Sequence, residues 1–402
     1  MTEKKSILII SYYYPPMNNG GIQRILNFKK YLPQFGYDVF ILTTNSYGLT
    51  EQYEEKVFRF SDTGYDYVQN MSHNKIKRTL FRIMRRIQVE SGIIIDGKYY
   101  WKKEVFKGIE EIIKKYRFNY ILASYPTPVN LEIGEYIHDK YKISLIVDYR
   151  DGLMYEPFPE IQKSFYVFKK RLLALEERMA QKATFQLAVN KKMCEYYNKK
   201  YPQVKTILIP NGFDDNEKFE DKPVELPEGI NMLYTGRIGM SRKNYSFKEL
   251  EDLLKYIFKL GKGINFVFIG EYEKNEVRLF EKYKNVYVYP KVDRAVVVAT
   301  QKRADALLLI SGTQGGTSGK LYEYLFAKKP ILNIGGKNEV GEIINGEYFG
   351  STYLINQKKE IGEFLDKLQK GKLNYKYGDL KQYSRKEQCR KLATFMNHNH
   401  EY

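Results

Sequence analysis

Short apolar runs alternate with amphipathic helical patterns along the whole chain. The runs are rich in Val, Ile, Phe and Tyr and are bounded by turn residues, as β-strands are. Such an alternation predicts parallel β-sheets covered by helices. The predicted strands are SILIISYYY, YDVFILTT, FNYILAS, ISLIVDY and FQLAV in the first half, and NMLYTG, INFVFIG, NVYVYP, DALLLI and PILNIG in the second.

A segment without regular periodicity separates the two sets of strands. Residues 209–230 are rich in Pro, Gly and acidic residues, which is typical of a linker. A chain of 402 residues also exceeds what one hydrophobic core usually supports. We therefore predict an α/β protein with two doubly wound, Rossmann-like domains, at residues 1–212 and 213–382, that face each other across a cleft. The last segment, 383–402, has a helical pattern that could pack back onto the first domain.

The composition narrows the class of protein. Apolar residues make up 43% and charged residues 28% of the chain, as in folded soluble proteins. Only Cys194 and Cys389 are present and the four histidines lack metal-ligand spacing, so a disulfide framework, a metal site and thiol catalysis are not expected. No apolar run reaches the ~20 residues of a spanning helix, and the chain enters its first strand without a signal peptide. We expect a cytoplasmic protein.

The chain is strongly basic, with a formal net charge of +18. Nucleic acid, an anionic membrane and phosphorylated substrates all attract such a surface. A Lys- and Tyr-rich genomic composition would explain part of the excess without any partner. No nucleic-acid-binding motif or aromatic–basic repeat is present, so nucleic acid is not an expected partner.

A glycine-rich turn between two apolar strands carries the strongest functional signal. It lies in the stretch GTQGGTSGKLYEYLFAKKPIL, residues 312–332. Glycines let backbone amides approach an anion, and a helix N-terminus adds partial positive charge. Glu323 lies about one turn into the helix, within reach of ribose hydroxyls of the same ligand. The stretch predicts a nucleotide diphosphate site formed by Gly316, Thr317, Ser318, Gly319, Lys320, Leu321 and Glu323.

Further candidates follow neighbouring strands of the second half. Gly236 and Arg237 end the strand NMLYTG, and Lys243 follows shortly after, which suits a clamp on two phosphates. Gly270 and Val292 follow the next two strands and would shape a pocket for the base. Taken singly, basic residues of so basic a chain are usually solvated, and the glycines are ordinary turns. Together they fall where open parallel sheets bind ligands, at the carboxyl ends of strands.

Two clusters in the first half also follow the carboxyl ends of predicted strands. Gly20 and Gly21 precede an amphipathic helix whose N-terminal amides suit a phosphate or an acceptor hydroxyl; a tight turn is the alternative. The glycines do not form a GxGxxG motif and no acidic residue closes the second strand, so NAD is not expected. Asp148, Arg150 and Asp151 end another strand, where they would act in acid–base catalysis or hold a hydroxyl or phosphate; a self-contained ion-pair turn is the alternative.

One predicted helix is both basic and amphipathic. The segment KIKRTLFRIMRRIQ, 75–88, has six basic residues and no acidic one, and its apolar residues share one face. Such a helix suits an anionic membrane surface, and basic and aromatic residues at 98–107 and 165–175 could contribute. The commoner alternative is that the helix buries the same apolar face on its own domain. We expect peripheral attachment to the cytoplasmic face of a membrane.

The order of these motifs resembles that of the family 4 glycosyltransferases of the GT-B fold, over nearly the whole chain. In that family a PP..GG..R turn follows the first strand, as in YYPPMNNGGIQR here, and a PNGxD motif precedes the second domain, as at 210–214. A Gly-Arg pair and a downstream lysine hold the diphosphate, which corresponds to Gly236, Arg237 and Lys243. A KLYEYLAxxKP motif closes the donor site and matches 320–330.

The resemblance implies a retaining glycosyltransferase that needs neither metal nor cofactor. It would move a sugar from a nucleotide diphosphate sugar to a hydroxyl of a lipid-linked or polysaccharide acceptor, in the synthesis of capsule, O-antigen or exopolysaccharide. Arg237 and Lys243 would stabilise the leaving diphosphate, Glu323 would hold the ribose, and Asp148 and Asp151 would position hydroxyls.

The chain departs from that family pattern at one position. Many members have a second glutamate eight positions before the one that holds the ribose, and here that position is Gly315. The missing glutamate keeps open the alternative of a catalytically silent subunit that binds a sugar nucleotide. Within enzymes, the alternative is an inverting GT-B enzyme with a soluble acceptor.

Overall fold

The chain folds into two compact units, each built on a parallel β-sheet. A computed structural model describes residues 4–17, 21–46, 54–70, 75–155, 165–216, 222–238, 245–312, 319–336, 338–346 and 349–398. The first unit consists of Met1–Pro210 and Arg385–Tyr402, and the second of Asn211–Ser384. The sequence places the boundaries after residues 212 and 382.

The first unit has a sheet in the order β3-β2-β1-β4-β5-β6-β7, and every neighbouring pair is parallel. The strands are β1 (Lys5–Ile10), β2 (Tyr37–Thr44), β3 (Val57–Phe60), β4 (Tyr120–Tyr125), β5 (Ser144–Tyr149), β6 (Phe185–Ala188) and β7 (Thr206–Leu208). The helices are α1 (Ile22–Tyr31), α2 (Thr63–Asn70), α3 (Lys75–Glu90), α4 (Tyr99–Tyr116), α5 (Pro128–Tyr141), α6 (Tyr166–Lys182) and α7 (Lys191–Lys200), with a 3-10 helix at Leu32–Phe35.

The second unit has a sheet in the order β10-β9-β8-β11-β12-β13, again parallel throughout. The strands are β8 (Ile230–Thr235), β9 (Ile264–Ile269), β10 (Val286–Tyr289), β11 (Ala306–Gly312), β12 (Ile331–Gly335) and β13 (Gly350–Tyr353). The helices are α8 (Phe247–Leu260), α9 (Lys274–Phe280), α10 (Arg294–Arg303), α11 (Gly319–Ala327), α12 (Glu339–Gly346) and α13 (Lys358–Gln369), with a 3-10 helix at Lys381–Tyr383.

The central strands are apolar on both faces because helices cover both sides of each sheet. In β1, Leu8 and Ile10 point into one core while Ile7 and Ile9 point into the core on the opposite side. This is the period of two that a strand imposes on its side chains. Continuous apolar runs are typical of parallel sheets buried in this way.

The C-terminal helix, α14 (Arg385–His398), belongs to the first unit. Its residues Leu392 and Met396 are fully buried in the core beneath β1 and β2. The hydroxyl of Tyr37 donates to Oδ1 of Asn397 (2.7 Å), and that of Tyr120 donates to the carbonyl of Met396 (2.7 Å). The end of the chain thus completes the core of the unit in which the chain begins.

The predicted fold class, two α/β units with parallel sheets, is confirmed. Each of the ten predicted runs contains a strand. The sequence missed β3, β7 and β13, which are short strands at the sheet edges, where one neighbour is absent and the apolar pattern is weaker. Among the described residues, none of the helices is long and apolar enough to span a bilayer.

Candidate functional site

The carboxyl ends of β8 and β9 come close together through two glycines. Gly236 directly follows β8 with a φ of +88°, a conformation that L-residues with a side chain rarely adopt. A Cβ on Gly270, after β9, would lie 2.7 Å from the carbonyl oxygen of Gly236. The two backbone segments therefore pack closely here, with no side chain between them.

Lys320, the second residue of α11, extends to the same edge. Its ammonium lies 4.0 Å from the ring centroid of Tyr234, and its Nζ is 3.6 Å from where a Cβ on Gly236 would stand. The hydroxyl of Tyr234 donates to the carbonyl of Arg237 (3.1 Å), which fixes the ring beneath the ammonium. The sequence predicted that Lys320 and Gly236 share a site, and the structure brings them together.

Helix α11 is anchored to β8 by Tyr324, in its second turn. The backbone N–H of Thr235 donates to the Tyr324 hydroxyl (3.0 Å), and Gln301 donates to Oγ1 of Thr235 (3.1 Å). Burial raises the pKa of Tyr324, so the hydroxyl stays protonated. Leu321 is fully buried in the same core, against which the partly buried Val292 packs. Sequence analysis gave Tyr324 no role, because its partner lies 89 residues away in the chain.

Two charged residues of the predicted donor site are ion-paired. The guanidinium of Arg237 is exposed and contacts the carboxylate of Glu271. The carboxylate of Glu323 contacts the guanidinium of Arg294, the first residue of α10. Sequence analysis singled out neither Glu271 nor Arg294, since neither belongs to a recognised motif.

Several predicted site residues lie outside the described part of the chain. These are Gly20, Lys243, Gly316, Thr317 and Ser318. Gly319, the first described residue after the glycine-rich turn, is exposed, and a Cβ there would meet no atom within 4 Å. The described start of α11 is therefore accessible.

In the first unit, Asp148 forms a buried ion pair with Arg24. Nη2 of Arg24 is 2.7 Å from Oδ1 of Asp148, and Nε is 3.1 Å from both carboxylate oxygens. Ser124 donates to Oδ2 (3.0 Å). The side chains of Arg24 and Asp148 are 1% and 0% exposed. With its oxygens occupied and shielded from water, Asp148 has the surroundings of a structural carboxylate and not those of a base that contacts substrate.

Arg24 is the arginine of the PP..GG..R motif, and the structure shows what it does. Besides Asp148, its Nη1 donates to the carbonyls of Ile209 (2.8 Å) and Pro210 (3.2 Å). The motif at the start of the chain is thereby tied to β5 and to the last residues of the first unit. The PP..GG..R motif is visible in the sequence, but the sequence alone indicated no role for its arginine.

Arg150 and Gly21 are also joined by a hydrogen bond. Nη1 of Arg150 donates to the carbonyl of Gly21, and Nε donates to that of Tyr125 (3.0 Å). A Cβ on Gly21 would overlap the guanidinium of Arg150, so a larger residue there would have to displace that side chain. Burial lowers the pKa of Arg150. Asp151, the next residue, is partly exposed at the same edge of the sheet.

The basic helix α3 leaves its apolar stripe in solvent. Its inner face packs through Phe81, whose ring lies 5.2 Å from that of Tyr67 and 6.4 Å from that of Tyr100. The exposed stripe consists of Ile76 (74% exposed), Leu80 (61%), Ile83 (51%), Met84 (44%) and Ile87 (59%). The structure therefore does not support the alternative in which α3 buries this stripe on its own domain.

The described residues contain no group of three or more His, Cys, Asp and Glu side chains arranged to hold a metal.

The sequence matches no protein-family model and no curated protein. Three solved structures with the same fold are similar over nearly the whole of both chains. Sucrose-phosphate synthase from Thermosynechococcus elongatus has a TM-score of 0.62 and 14% identity, covering 98% of each chain. The lipopolysaccharide outer core galactosyltransferase WaaB (TM-score 0.59) and the UDP-GlcNAc 2-epimerase from Methanocaldococcus jannaschii (0.57) are each 12% identical and cover 98% of this chain and 99% of their own. At such identities the likeness shows the GT-B fold.

Proposed function

We propose that the protein is a retaining, metal-independent glycosyltransferase. It moves a sugar from a nucleotide diphosphate sugar to a hydroxyl of a lipid-linked or polysaccharide acceptor, in cell-surface glycan synthesis at the cytoplasmic face of a membrane. The observation that carries the proposal is the placement of Lys320 and Glu323 one turn apart on α11, with Lys320 beside Gly236 at the end of β8.

The diphosphate is assigned to the edge formed by Gly236 and the start of α11. Gly236 and Gly270 bring backbone close without side chains, the helix start adds partial positive charge, and Lys320 supplies a full charge. Arg237 is exposed and exchanges Glu271 for a phosphate when the donor binds. These cations, together with Lys243, offset the negative charge that the leaving diphosphate gains in the transition state.

The ribose is assigned to Glu323. Its carboxylate lies one turn further along α11 than Lys320, so a ligand whose phosphates touch the helix start can reach it with ribose hydroxyls. The ion pair with Arg294 orients this carboxylate. The base lies towards Gly270 and Val292, after β9 and β10.

The acceptor is assigned to the first unit, at the edge that carries Gly21, Arg150 and Asp151. Asp151 is the carboxylate of this cluster that has access to solvent, and it positions the acceptor hydroxyl. Asp148 holds Arg24 in place and acts through the backbone that Arg24 fixes.

Attachment to a membrane is assigned to α3. Five large apolar side chains stand in water along one face of a helix that carries six basic residues between positions 75 and 88. Burying such side chains is worth roughly 1.5–3 kcal/mol each, and each basic residue near an anionic surface adds about 1 kcal/mol. The exposed Phe165, Tyr166 and Val167 at the start of α6 add to this apolar surface.

The test of the donor assignment is a thermal-shift screen with a panel of nucleotide diphosphates and their sugars. A ligand of the native state raises the melting temperature as its concentration rises. We expect one nucleoside diphosphate to stabilise the protein without added metal. Absence of stabilisation by every member of the panel would contradict the donor site. Binding without turnover would instead support the catalytically silent subunit.

A further inference from the structure

Two backbone N–H groups of the segment that follows β5 are held by side chains of helices. The segment, 151–155, is neither helix nor strand. The N–H of Leu153 donates to the hydroxyl of Tyr197 on α7 (3.2 Å). The N–H of Met154 donates to Oε2 of Glu176 on α6 (2.8 Å). An irregular segment has no hydrogen-bond ladder of its own to supply acceptors, so the two side chains satisfy these groups.

Glu176 and Tyr197 form one buried hydrogen-bonded unit. The hydroxyl of Tyr197 donates to Oε2 of Glu176 (3.1 Å). Oε1 of the same carboxylate accepts from the hydroxyl of Tyr201 (3.0 Å) and from the ammonium of Lys200 (2.8 Å). The side chain of Glu176 is 0% exposed, and a buried carboxylate costs free energy unless donors surround it. Both oxygens have such donors, so the carboxylate to which the segment is attached is itself held in place.

Tyr197 also supports the end of β5. Its ring stacks on that of Tyr149, with centroids 4.4 Å apart and an angle of 11° between the planes. Tyr149 is the last residue of β5 and precedes Asp151 by two positions. Burial, Tyr149 and Glu176 raise the pKa of Tyr197 well above its ordinary value, so the hydroxyl keeps the proton that it donates to Glu176. Tyr197 thus contacts the chain on both sides of Asp151, at Tyr149 and at Leu153.

Asp151 lies between these two supports. Burial and then the charge of Asp151 raise the pKa of Tyr125, the last residue of β4, so the carboxylate lies near that strand end. A Cβ on Gly152 would lie 2.0 Å from the carbonyl oxygen of Tyr155, so the backbone turns tightly directly after Asp151. Asp151 is partly exposed, whereas Gly152 is buried. The direction of the Asp151 side chain therefore depends on how this turn is held.

We propose that Glu176 and Tyr197 are positioning residues for the transfer reaction, which hold the segment 151–155 so that the carboxylate of Asp151 meets the acceptor hydroxyl. The proposal rests on the function proposed above and deepens it, because it adds residues of α6 and α7 that belong to no recognised motif to the acceptor side. A carboxylate acts on a hydroxyl only within hydrogen-bond reach, so a small displacement of the segment slows the reaction.

The first experiment measures the support without any transfer, by amide hydrogen exchange of the full-length protein. Tyr197→Phe leaves the N–H of Leu153 without its acceptor, so exchange at Leu153 and Met154 should become about tenfold faster. Tyr201→Phe is the matched control, since it removes the hydroxyl that donates to the other oxygen of Glu176. It should change exchange at the two amides by less than about twofold. Equal changes in the two variants would overturn the proposal.

The same measurement tests Glu176. Glu176→Ala removes the acceptor of the Met154 N–H, and exchange at that amide should become about tenfold faster. Glu176→Gln keeps an accepting oxygen and should restore most of the protection. Unchanged protection of Met154 in Glu176→Ala would overturn the role of Glu176. Should Glu176→Ala not fold, Tyr197→Phe, which removes a single oxygen atom, still decides whether the segment is held.

Transfer kinetics test whether the support matters for the reaction. Tyr197→Phe should lower kcat/KM for the acceptor about tenfold and leave KM for the nucleotide diphosphate sugar unchanged, because the donor is assigned to the second unit. Tyr201→Phe should stay within about twofold of the wild type. Losses of equal size in the two variants, or an equal loss towards the donor, would indicate a general effect on the fold and overturn the proposal.

A double variant tests whether Tyr197 acts through Asp151. Asp151→Asn removes the carboxylate that is positioned, so adding Tyr197→Phe should lower the rate by no more than about a further twofold. If the two effects multiply instead, Tyr197 acts independently of Asp151 and the proposal is wrong. If the wild type transfers no sugar to any acceptor, the proposed function fails, whereas hydrogen exchange still decides whether Glu176 and Tyr197 hold the segment.

Discussion

The ammonium of Lys320 lies 4.0 Å above the ring of Tyr234, at the point where β8 ends and α11 begins. Its Nζ is 3.6 Å from where a Cβ on Gly236 would stand. A cation, a helix N-terminus and a glycine with positive φ therefore meet at one edge of the second sheet. This meeting is the geometric basis of the donor assignment.

Replacement of Lys320 by Gln should weaken binding of the nucleoside diphosphate about tenfold or more, because one charge-assisted contact to phosphate is lost. Binding of the corresponding nucleoside, which lacks phosphate, should be unchanged. Isothermal titration with both ligands measures the difference. Lys282→Gln, at an exposed position of the same unit, is the matched control and should bind as the wild type does. An equal loss for nucleoside and nucleoside diphosphate would rule out a phosphate contact.

Glu323→Ala should weaken binding of the ribonucleoside diphosphate about tenfold, since a carboxylate that accepts from ribose hydroxyls is removed. The same substitution should cost nothing further with the 2′,3′-dideoxy nucleotide, which lacks those hydroxyls. Titration of wild type and variant with both nucleotides completes a thermodynamic cycle, which isolates the interaction between Glu323 and the ribose hydroxyls. Glu363→Ala, exposed on α13, serves as the control. If the variant loses as much affinity for the dideoxy nucleotide, Glu323 does not hold the ribose.

Arg24→Met should lower the free energy of unfolding of the first unit by about 3–5 kcal/mol, because it leaves the buried Asp148 carboxyl group without its ion-pair partner. The double variant Arg24→Met with Asp148→Leu should recover much of that loss. Chemical denaturation measures both. Arg86→Met breaks the exposed Arg86–Glu90 pair and should cost less than about 1 kcal/mol. A mild effect of Arg24→Met would mean that the pair does not hold this region together.

Replacement of Leu80, Ile83 and Ile87 by serine should reduce binding to anionic vesicles by at least about tenfold, since each loses roughly 1.5–3 kcal/mol of apolar burial. Vesicle sedimentation at physiological salt is the measurement. Leu260→Ser with Val288→Ser removes exposed apolar side chains elsewhere and should have no effect. Neutral vesicles should bind the wild type weakly, because the basic residues of α3 no longer contribute. Unchanged binding by the triple variant would exclude α3 as the attachment surface.

The sequence predicted the sheets because strands depend on local patterns. Runs such as ALLLISG in β11 are apolar enough to be recognised alone, and the glycine-rich turn follows directly. The short edge strands β3, β7 and β13 lack that signal. Their position depends on neighbours that the local sequence does not reveal.

The partners of the site residues could not be predicted, because they come from distant parts of the chain. Asp148 looked like a solvent-facing carboxylate after a strand, yet its partner Arg24 lies 124 positions earlier. For α3, the amphipathic pattern is the same whether the helix buries its stripe or exposes it. Only the tertiary packing, through Phe81 on the opposite face, distinguishes the two.

The most direct test of the proposed function is transfer itself. The full-length protein is incubated with each nucleotide diphosphate sugar and a polyprenyl diphosphate-linked saccharide, and the products are weighed by mass spectrometry. We predict that one donor yields an acceptor heavier by one sugar, together with a free nucleoside diphosphate. The reaction should proceed in the presence of a metal chelator. Lys320→Gln and Glu323→Ala should both slow it. The absence of transfer and of donor cleavage with every donor, in a protein that is folded, would contradict the proposal.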